Sequence, residues 1–271
     1  MMRSDVKLKN WRKKSRRVDE MVSVRMADSK TWKTCVGAMV NLIDEAAFKF
    51  TAEGIKMKAM DPSHVALLDF ELPASVFEEY KVKQPTTLGI GLTDMNKILA
   101  RAKAEDELII ELDEEKNRLA LTFKGVSTRR LSLPLIDVSE AELPEPKLQF
   151  TATADVAAGV IQDGLKDAEI VGDNVKFELS EDGFFLSAES DKGTSELKLH
   201  KGDQGLLKLS VKQPAHAMFN IKYLSDMTKA AGSSEVIIIN LGTDLPIQLD
   251  LPVAEGKGKL RFLLAPRIEA E

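Results

Sequence analysis

Only one cysteine, Cys35, occurs in 271 residues, so neither an intramolecular disulfide nor a cysteine-based zinc cluster can form. A lone thiol fits a reducing compartment. Aromatic residues make up 6% of the chain, which argues against an aromatic-lined groove for single-stranded nucleic acid. Long apolar runs are also missing. The longest, such as Val236–Ile239, hold four or five residues, whereas a bilayer-spanning helix needs ~20. This excludes a membrane-spanning helix. The first 20 residues contain no apolar stretch of a secretory signal, which argues against export.

What is present describes a globular protein of one large domain or two smaller ones. Apolar residues reach 44% and charged residues 30%. The net charge of −5 is unevenly spread. Residues 1–20 hold eight Lys/Arg against three acids, or +5, which leaves 30 bases and 40 acids, or −10, for the remaining 251 residues. An acidic body repels nucleic acid unless its bases gather on one surface. The basic segment 1–20 reads as a disordered extension, or as an upstream start before the real one at Met21. A basic tail touching nucleic acid is the other reading.

The body reads as a duplication. LTDMNK (Leu92–Lys97) returns as LSDMTK (Leu224–Lys229), and PLID (Pro134–Asp137) as PRIE (Pro266–Glu269), each 132 residues on. FKFTAEG (Phe48–Gly54) resembles VKFELSEDG (Val175–Gly183). Each match is short, but three in the same order mark a repeated domain. Alternation on both sides of Ala52–Gly54 and Ser180–Gly183 predicts hairpins. Helical periodicity predicts two long helices, Ser29–Glu45 and Asp155–Asp167. It predicts two short ones, Thr93–Ala102 and Ser225–Ala231, with Thr93 and Ser225 as N-caps. Each half is therefore mostly antiparallel sheet with two helices, an α+β architecture. The boundaries are 21–136 and 149–271, joined by an acidic, proline-bearing linker at 137–148.

A basic subset falls on or beside the helices: Lys30, Lys33, Lys97, Arg101, Lys103 just beyond its helix, Lys166, Lys222 and Lys229. Lys97 and Arg101, four apart, share a helix face. Chemistry-bearing motifs are weak. Gly89-x-Gly91 lacks the third glycine of a dinucleotide loop and no βαβ unit surrounds it. EGKGK (Glu255–Lys259) lacks the Ser/Thr of a phosphate loop and reads as a turn. Asp61 and His64 in MDPSH form a conceivable metal or general-base pair. No third ligand or nucleophile stands near them, and DPS is ordinary turn chemistry. His200 and His216 are isolated, and Cys35 belongs with the core. No active site emerges, and neither a metal nor a cofactor is expected.

NLIDEAAFKFTAEGIKMKAMDPSHVALLDFEL (Asn41–Leu72), LTDMNKILARA (Leu92–Ala102), LPLIDV (Leu133–Val138), YLSDM (Tyr223–Met227) and LLAPRIE (Leu263–Glu269) carry a resemblance. From Met21 to Glu271 the chain resembles sliding DNA clamps of the proliferating cell nuclear antigen family, archaeal type. The resemblance implies a non-catalytic subunit of a closed ring, usually a homotrimer, with helices lining a hole through which duplex DNA passes. The helical bases would make loose phosphate contacts. DNA polymerase, the clamp loader, flap endonuclease and DNA ligase would dock by short peptides in a pocket under the linker. Its matching positions are Met60, His64, Glu140, Ala141, Leu143, Pro246, Leu263, Ala265 and Pro266. Leu263 stands where some relatives have an aromatic. Ring closure would pair Gly125–Leu131 of one subunit with Thr194–His200 of the next. Arg101, Lys103 and Arg130 would face the neighbour's Asp163 and Asp167. A cytoplasmic, nucleoid-associated location is implied.

Three rival readings make different predictions. A subunit of a heterotrimeric or checkpoint clamp would not close a ring alone. A nucleic-acid enzyme would need a carboxylate cluster or nucleophile. A plain β-rich scaffold would tolerate loss of Lys97 and Arg101.

Overall fold

The computed structural model describes residues 21–138, 143, 147–229, 231 and 235–267. The basic segment 1–20, Glu140 and Ala141 lie outside the described residues. The first half runs β1 (Val22–Met26), α1 (Lys30–Met39), β2 (Glu45–Thr51), β3 (Gly54–Met60), β4 (Ala66–Pro73), β5 (Glu79–Val82), β6 (Thr86–Gly91), α2 (Leu92–Leu99), β7 (Glu107–Asp113), β8 (Arg118–Lys124) and β9 (Thr128–Pro134). The second repeats this order. It runs β10 (Ala152–Ala157), α3 (Ala158–Val171), β11 (Asn174–Ser180), β12 (Gly183–Ser190), β13 (Gly193–His200), β14 (Leu206–Val211), β15 (Ala215–Asn220), α4 (Ile221–Thr228), β16 (Val236–Leu241), β17 (Ile247–Val253) and β18 (Gly258–Leu264).

All strand pairs are antiparallel, in three sheets ordered β5-β1-β7-β8-β9, β14-β10-β16-β17-β18-β4-β3-β2-β6 and β13-β12-β11-β15. The middle sheet crosses between the halves because β18 pairs with β4, from Lys259 opposite Glu71 to Leu264 opposite Ala66. Strand alternation sets which face is core. In β4, Ala66, Leu68, Phe70 and Leu72 turn inward. The helices cover the inner faces of the sheets: α1 packs on α2, α3 on α4, and α1 meets α4 across the halves. Trp32 of α1 anchors the first core against Phe48 and Phe70, and Phe177, Phe184 and Phe219 cluster in the second. Cys35 is fully buried, and that burial pushes its thiol up to about 12.

The true interval of the repeat is 129 residues for the helices and most strands. The buried stripe Trp32, Cys35 and Met39 of α1 returns as Ile161, Gly164 and Ala168 of α3, and Leu92 and Met95 return as Ile221 and Leu224. The sequence match at 132 slides α4 by three residues, close to one turn of helix, so the wrong register still places apolar residues near the core. This also corrects the caps. Gly91 and Asn220, the last strand residues, precede α2 and α4, and Asn220 accepts a hydrogen bond from the Tyr223 amide at 3.3 Å. Thr93 and Ser225 are inside the helices.

Two further expectations shift. α1 stops at Met39, whose carbonyl accepts from the amides of Leu42 and Ile43, because Glu45 is already paired with Gly91. α3 starts at Ala158 and not Asp155, because Asp155 is held between β14 and β16. The hairpin turns lie where alternation predicted them, with Gly54 and Gly183 at φ +146° and +157°.

Candidate functional site

Every cation singled out on the helices is exposed and belongs to one helical layer: Lys30 and Lys33 on α1, Lys97 on α2, Lys166 on α3, Lys222 on α4 and Lys229 at its end. Arg101 and Lys103 follow α2. Ser29 Oγ donates to the Lys103 carbonyl at 2.9 Å and Lys33 Nζ to the Ala102 carbonyl at 3.4 Å, so the start of α1 is tied to that turn. This brings Lys30, Lys33, Arg101 and Lys103 together.

The two halves of the layer differ in electrostatics. Lys166 pairs with Asp163 at 2.9 Å, and Lys222 and Lys229 pair with Asp226 at 3.5 and 2.6 Å. Lys97 pairs with Asp94 at 2.9 Å. Among the described residues Lys30, Lys33, Arg101 and Lys103 have no ion pair. Along α3, Asp163, Asp167 and Glu169 outnumber Lys166. The helical layer of the first half is thus the more positive.

The outer face of the nine-stranded sheet holds a groove of about 920 Å³, whose walls include Met60, His64, Val138 and Leu143. Pro246, Leu263, Ala265 and Pro266 do not line it. Leu263 nevertheless joins the same lateral row: it is opposite Leu67, which is opposite Met60. Leu67 escaped the sequence reading. Its signal was the adjacent pair Leu67-Leu68, which breaks alternation and forces one leucine outward. Two residues along the strands the row turns charged. Arg261 donates to Asp250 at 2.7 Å, and Lys259 lies 3.7 and 3.5 Å from Asp69 and Glu71. Burial pushes the Glu71 carboxyl up, but Lys259 and Lys56 outweigh it and hold the group below its ordinary value.

Asp61 and His64 are not a catalytic pair. Asp61 is buried, and its carboxylate accepts from the amides of Ser63, Val65 and Ala66 at 2.9, 2.8 and 2.7 Å and from the Tyr223 hydroxyl at 2.8 Å. Its lone pairs are committed to the turn, and His64 is exposed at φ +59°. Among the described residues no group of three or more His, Cys, Asp or Glu is placed to hold a metal ion, and no helix is long and apolar enough to cross a membrane.

The expected ring seam falls on real sheet edges. β9 ends one sheet and β13 another. β9 begins at Thr128, and Gly125–Ser127 form the preceding turn, so the expected strand Gly125–Leu131 starts three residues too early. Arg130 on β9 pairs with Glu111 at 3.0 Å in its own chain. α2 packs near β9, and α3 packs under β13. Arg101 and Lys103 therefore lie by one free edge, and Asp163 and Asp167 by the other.

A duplicated domain with an outer shell of sheet and an inner layer of helices defines a two-domain chain of DNA-clamp architecture. The description "Proliferating cell nuclear antigen, N-terminal domain" matches residues 21–142, and its C-terminal counterpart matches 145–267. The DNA polymerase sliding clamp 1 of Thermococcus kodakarensis is 44% identical over 241 residues, which cover 89% of this chain and 96% of that protein. The DNA polymerase sliding clamp of Pyrococcus furiosus is 42% identical over the same coverage. The solved structure of PCNA from Thermococcus kodakaraensis superposes with a TM-score of 0.88 at 30% identity, covering 91% of this chain and all (100%) of that one. A. fulgidus PCNA bound to the C-terminal region of FEN-1 gives 0.83 at 28% identity, covering 93% and 100%. The chain belongs to the proliferating cell nuclear antigen family.

Proposed function

We propose that this chain is the subunit of a sliding clamp that closes head-to-tail into a homotrimeric ring around duplex DNA. It tethers DNA polymerase and other replication and repair enzymes to their template. One observation carries the reading: the chain contains its own seam. Inside it, β18 and α4 of the second half meet β4 and α1 of the first. The repeat equivalents of these four elements, β9 and α2 at one end and α3 and β13 at the other, have no such partner among the described residues. A second copy placed as the second half is placed on the first satisfies both ends. Such a head-to-tail contact, repeated until it closes, makes a ring, and unpaired edges otherwise invite aggregation. Three copies of two similar domains give six nearly equivalent seams.

The mechanism is physical and not catalytic. Topology holds the DNA, so Lys30, Lys33, Arg101 and Lys103 need only loose, sequence-blind phosphate contacts, and these permit sliding. Lys97, Lys166, Lys222 and Lys229, each beside an acid, contribute less. Arg101 and Lys103 also face Asp163 and Asp167 of the next subunit across the seam. The outer groove with the Met60–Leu67–Leu263 row takes the peptides of partners, including the clamp loader, flap endonuclease and DNA ligase. A tethered polymerase stays at high effective concentration at its template, which is the source of processivity. The role asks for no metal or cofactor and places the protein on the DNA in the cytoplasm.

Light scattering on the purified protein tests the reading. The mass of three chains at low salt, falling as salt screens the seam, is expected. A monomer under all conditions overturns self-closure and leaves a hetero-ring subunit. On primed circular DNA the protein is expected to lengthen polymerase products only when a clamp loader is present.

A further inference from the structure

The turn between β3 and β4 is unlike its counterpart in the second half. Met60 and Leu67 pair at the end of one hairpin, and Ser190 and Gly193 at the end of the other. Asp61 and Ser190 occupy equivalent places, 129 residues apart. From there the first turn takes two more residues to reach its return strand. The longer turn carries Pro62, Ser63 and His64. Asp61, Pro62 and His64 form one wall of the outer groove.

This wall is held from the other half of the molecule. Tyr223 on α4 donates its hydroxyl to Asp61 Oδ2 at 2.8 Å. The Ala265 amide, just past β18, donates to the Val65 carbonyl at 2.9 Å. The Asn220 cap, accepting from the Tyr223 amide, fixes where the tyrosine leaves its helix. The equivalent places make no such clasp. Ser190 Oγ donates to the Val171 carbonyl at 2.7 Å and accepts from the Lys192 amide at 3.0 Å. The counterpart of Tyr223 is Asp94, paired with Lys97. Among the described residues the clasp accompanies the longer turn, and it ties that groove wall to the second half.

We propose that Tyr223 is a positioning residue for the outer groove, holding the Asp61–Val65 turn in the shape that receives a partner peptide. The inference rests on the groove being the peptide site. It makes the site a composite: the wall belongs to the first domain and its support to the second. Tyr223→Phe deletes one hydroxyl and leaves the ring packing in place. Asp61 retains its three amide partners, so the turn loosens without unfolding.

The test uses the full chain and a synthetic peptide of the FEN-1 C-terminal region, with two readouts. Y223F is expected to bind the peptide about fivefold more weakly, with the mass in solution unchanged. Amide hydrogen exchange at Val65 and Ala66 is expected to speed up in Y223F and to slow again when peptide is added, a response that global stability alone would not give. Asp61→Asn, which cannot offer the same charged acceptor, should weaken binding similarly, and adding Y223F to it should weaken binding little further. Wild-type affinity in Y223F, or unchanged exchange at Val65 and Ala66, overturns the proposal. If the wild-type protein fails to bind the peptide, the reading of the groove falls. The exchange comparison then still decides whether Tyr223 holds the turn.

Discussion

Asp61 shows how a residue that looks catalytic in sequence becomes structural in three dimensions. Acid, proline, serine and histidine in a row match a general-base motif and a turn equally well. Four hydrogen bonds decide between them. Burial alone would push the Asp61 carboxyl up, but the amides of Ala66, Ser63 and Val65 and the Tyr223 hydroxyl prevail and hold it below its ordinary value. A carboxyl depressed on folding stabilises the folded state in full above the ~3.9 of an unfolded aspartate. That contribution fades as pH falls through the lower folded value. Asp61→Ala is expected to cost about 3 kcal/mol near neutral pH, because a buried charge with several donors is lost. The gap to wild type should narrow in acid. Urea unfolding of both proteins from neutral pH down to about pH 2 checks this. A gap that widens in acid would mean that the carboxyl is held above its ordinary value.

Among the helices and strands, what alternation governs was legible in the sequence and what pairing governs was not. The hairpins at Ala52–Gly54 and Ser180–Gly183 and the strands Leu108–Leu112 and Val236–Leu241 follow from period-two patterning. The ends of α1 and α3 do not. Glu45 and Asp155 suit a helix locally and are claimed by neighbouring strands, which no local pattern reveals. Of the outer groove, Met60, His64 and Leu143 came from the family resemblance, while Leu67 and Tyr223 needed the register and the contact between halves. From sequence the helices carry a basic subset within an acidic body. The i,i+3 and i,i+4 acids that offset Lys166, Lys222 and Lys229 show an uneven one. The two ends of the layer should therefore respond differently to substitution. In duplex binding by the assembled protein, K30A/K33A is expected to lower the slope of log affinity against log salt by about 2. K222A/K229A should lower it by less than about 1, since each of those charges is already partly neutralised. Equal losses from the two pairs would mean that the intrahelical acids do not matter at the DNA.

For the assembled molecule the repeat gives a register. Inward-facing Leu260, Phe262 and Leu264 of β18 answer to Arg129, Leu131 and Leu133 of β9, and Leu68, Phe70 and Leu72 of β4 answer to Ser195, Leu197 and Leu199 of β13. Carrying the internal pairing across, Arg261 opposite Asp69 becomes Arg130 of one subunit opposite Glu196 of the next. The family resemblance implies Arg130 against Asp163 and Asp167. Carried across the seam, the internal register would instead put Arg130 on the outer face and leave those two acids to Arg101 and Lys103 on the helical side. In the single chain exposed Arg130 rests on half-buried Glu111 and exposed Glu196 on Lys198, so closing the seam exchanges partners and does not bury bare charge. Exposed pairs contribute about 0.2–1 kcal/mol each, and reversing one member replaces attraction with repulsion. Arg130→Glu alone, or Glu196→Arg alone, is expected to raise the concentration at which the ring dissociates about tenfold at low salt. The double swap should restore most of that loss, since each ring repeats the pair at every seam. High salt should shrink all three differences. Light scattering over a dilution series reads the dissociation. If both single variants weaken the ring and the swap does not restore it, the two residues do not face each other, and the seam between subunits departs from the seam within the chain.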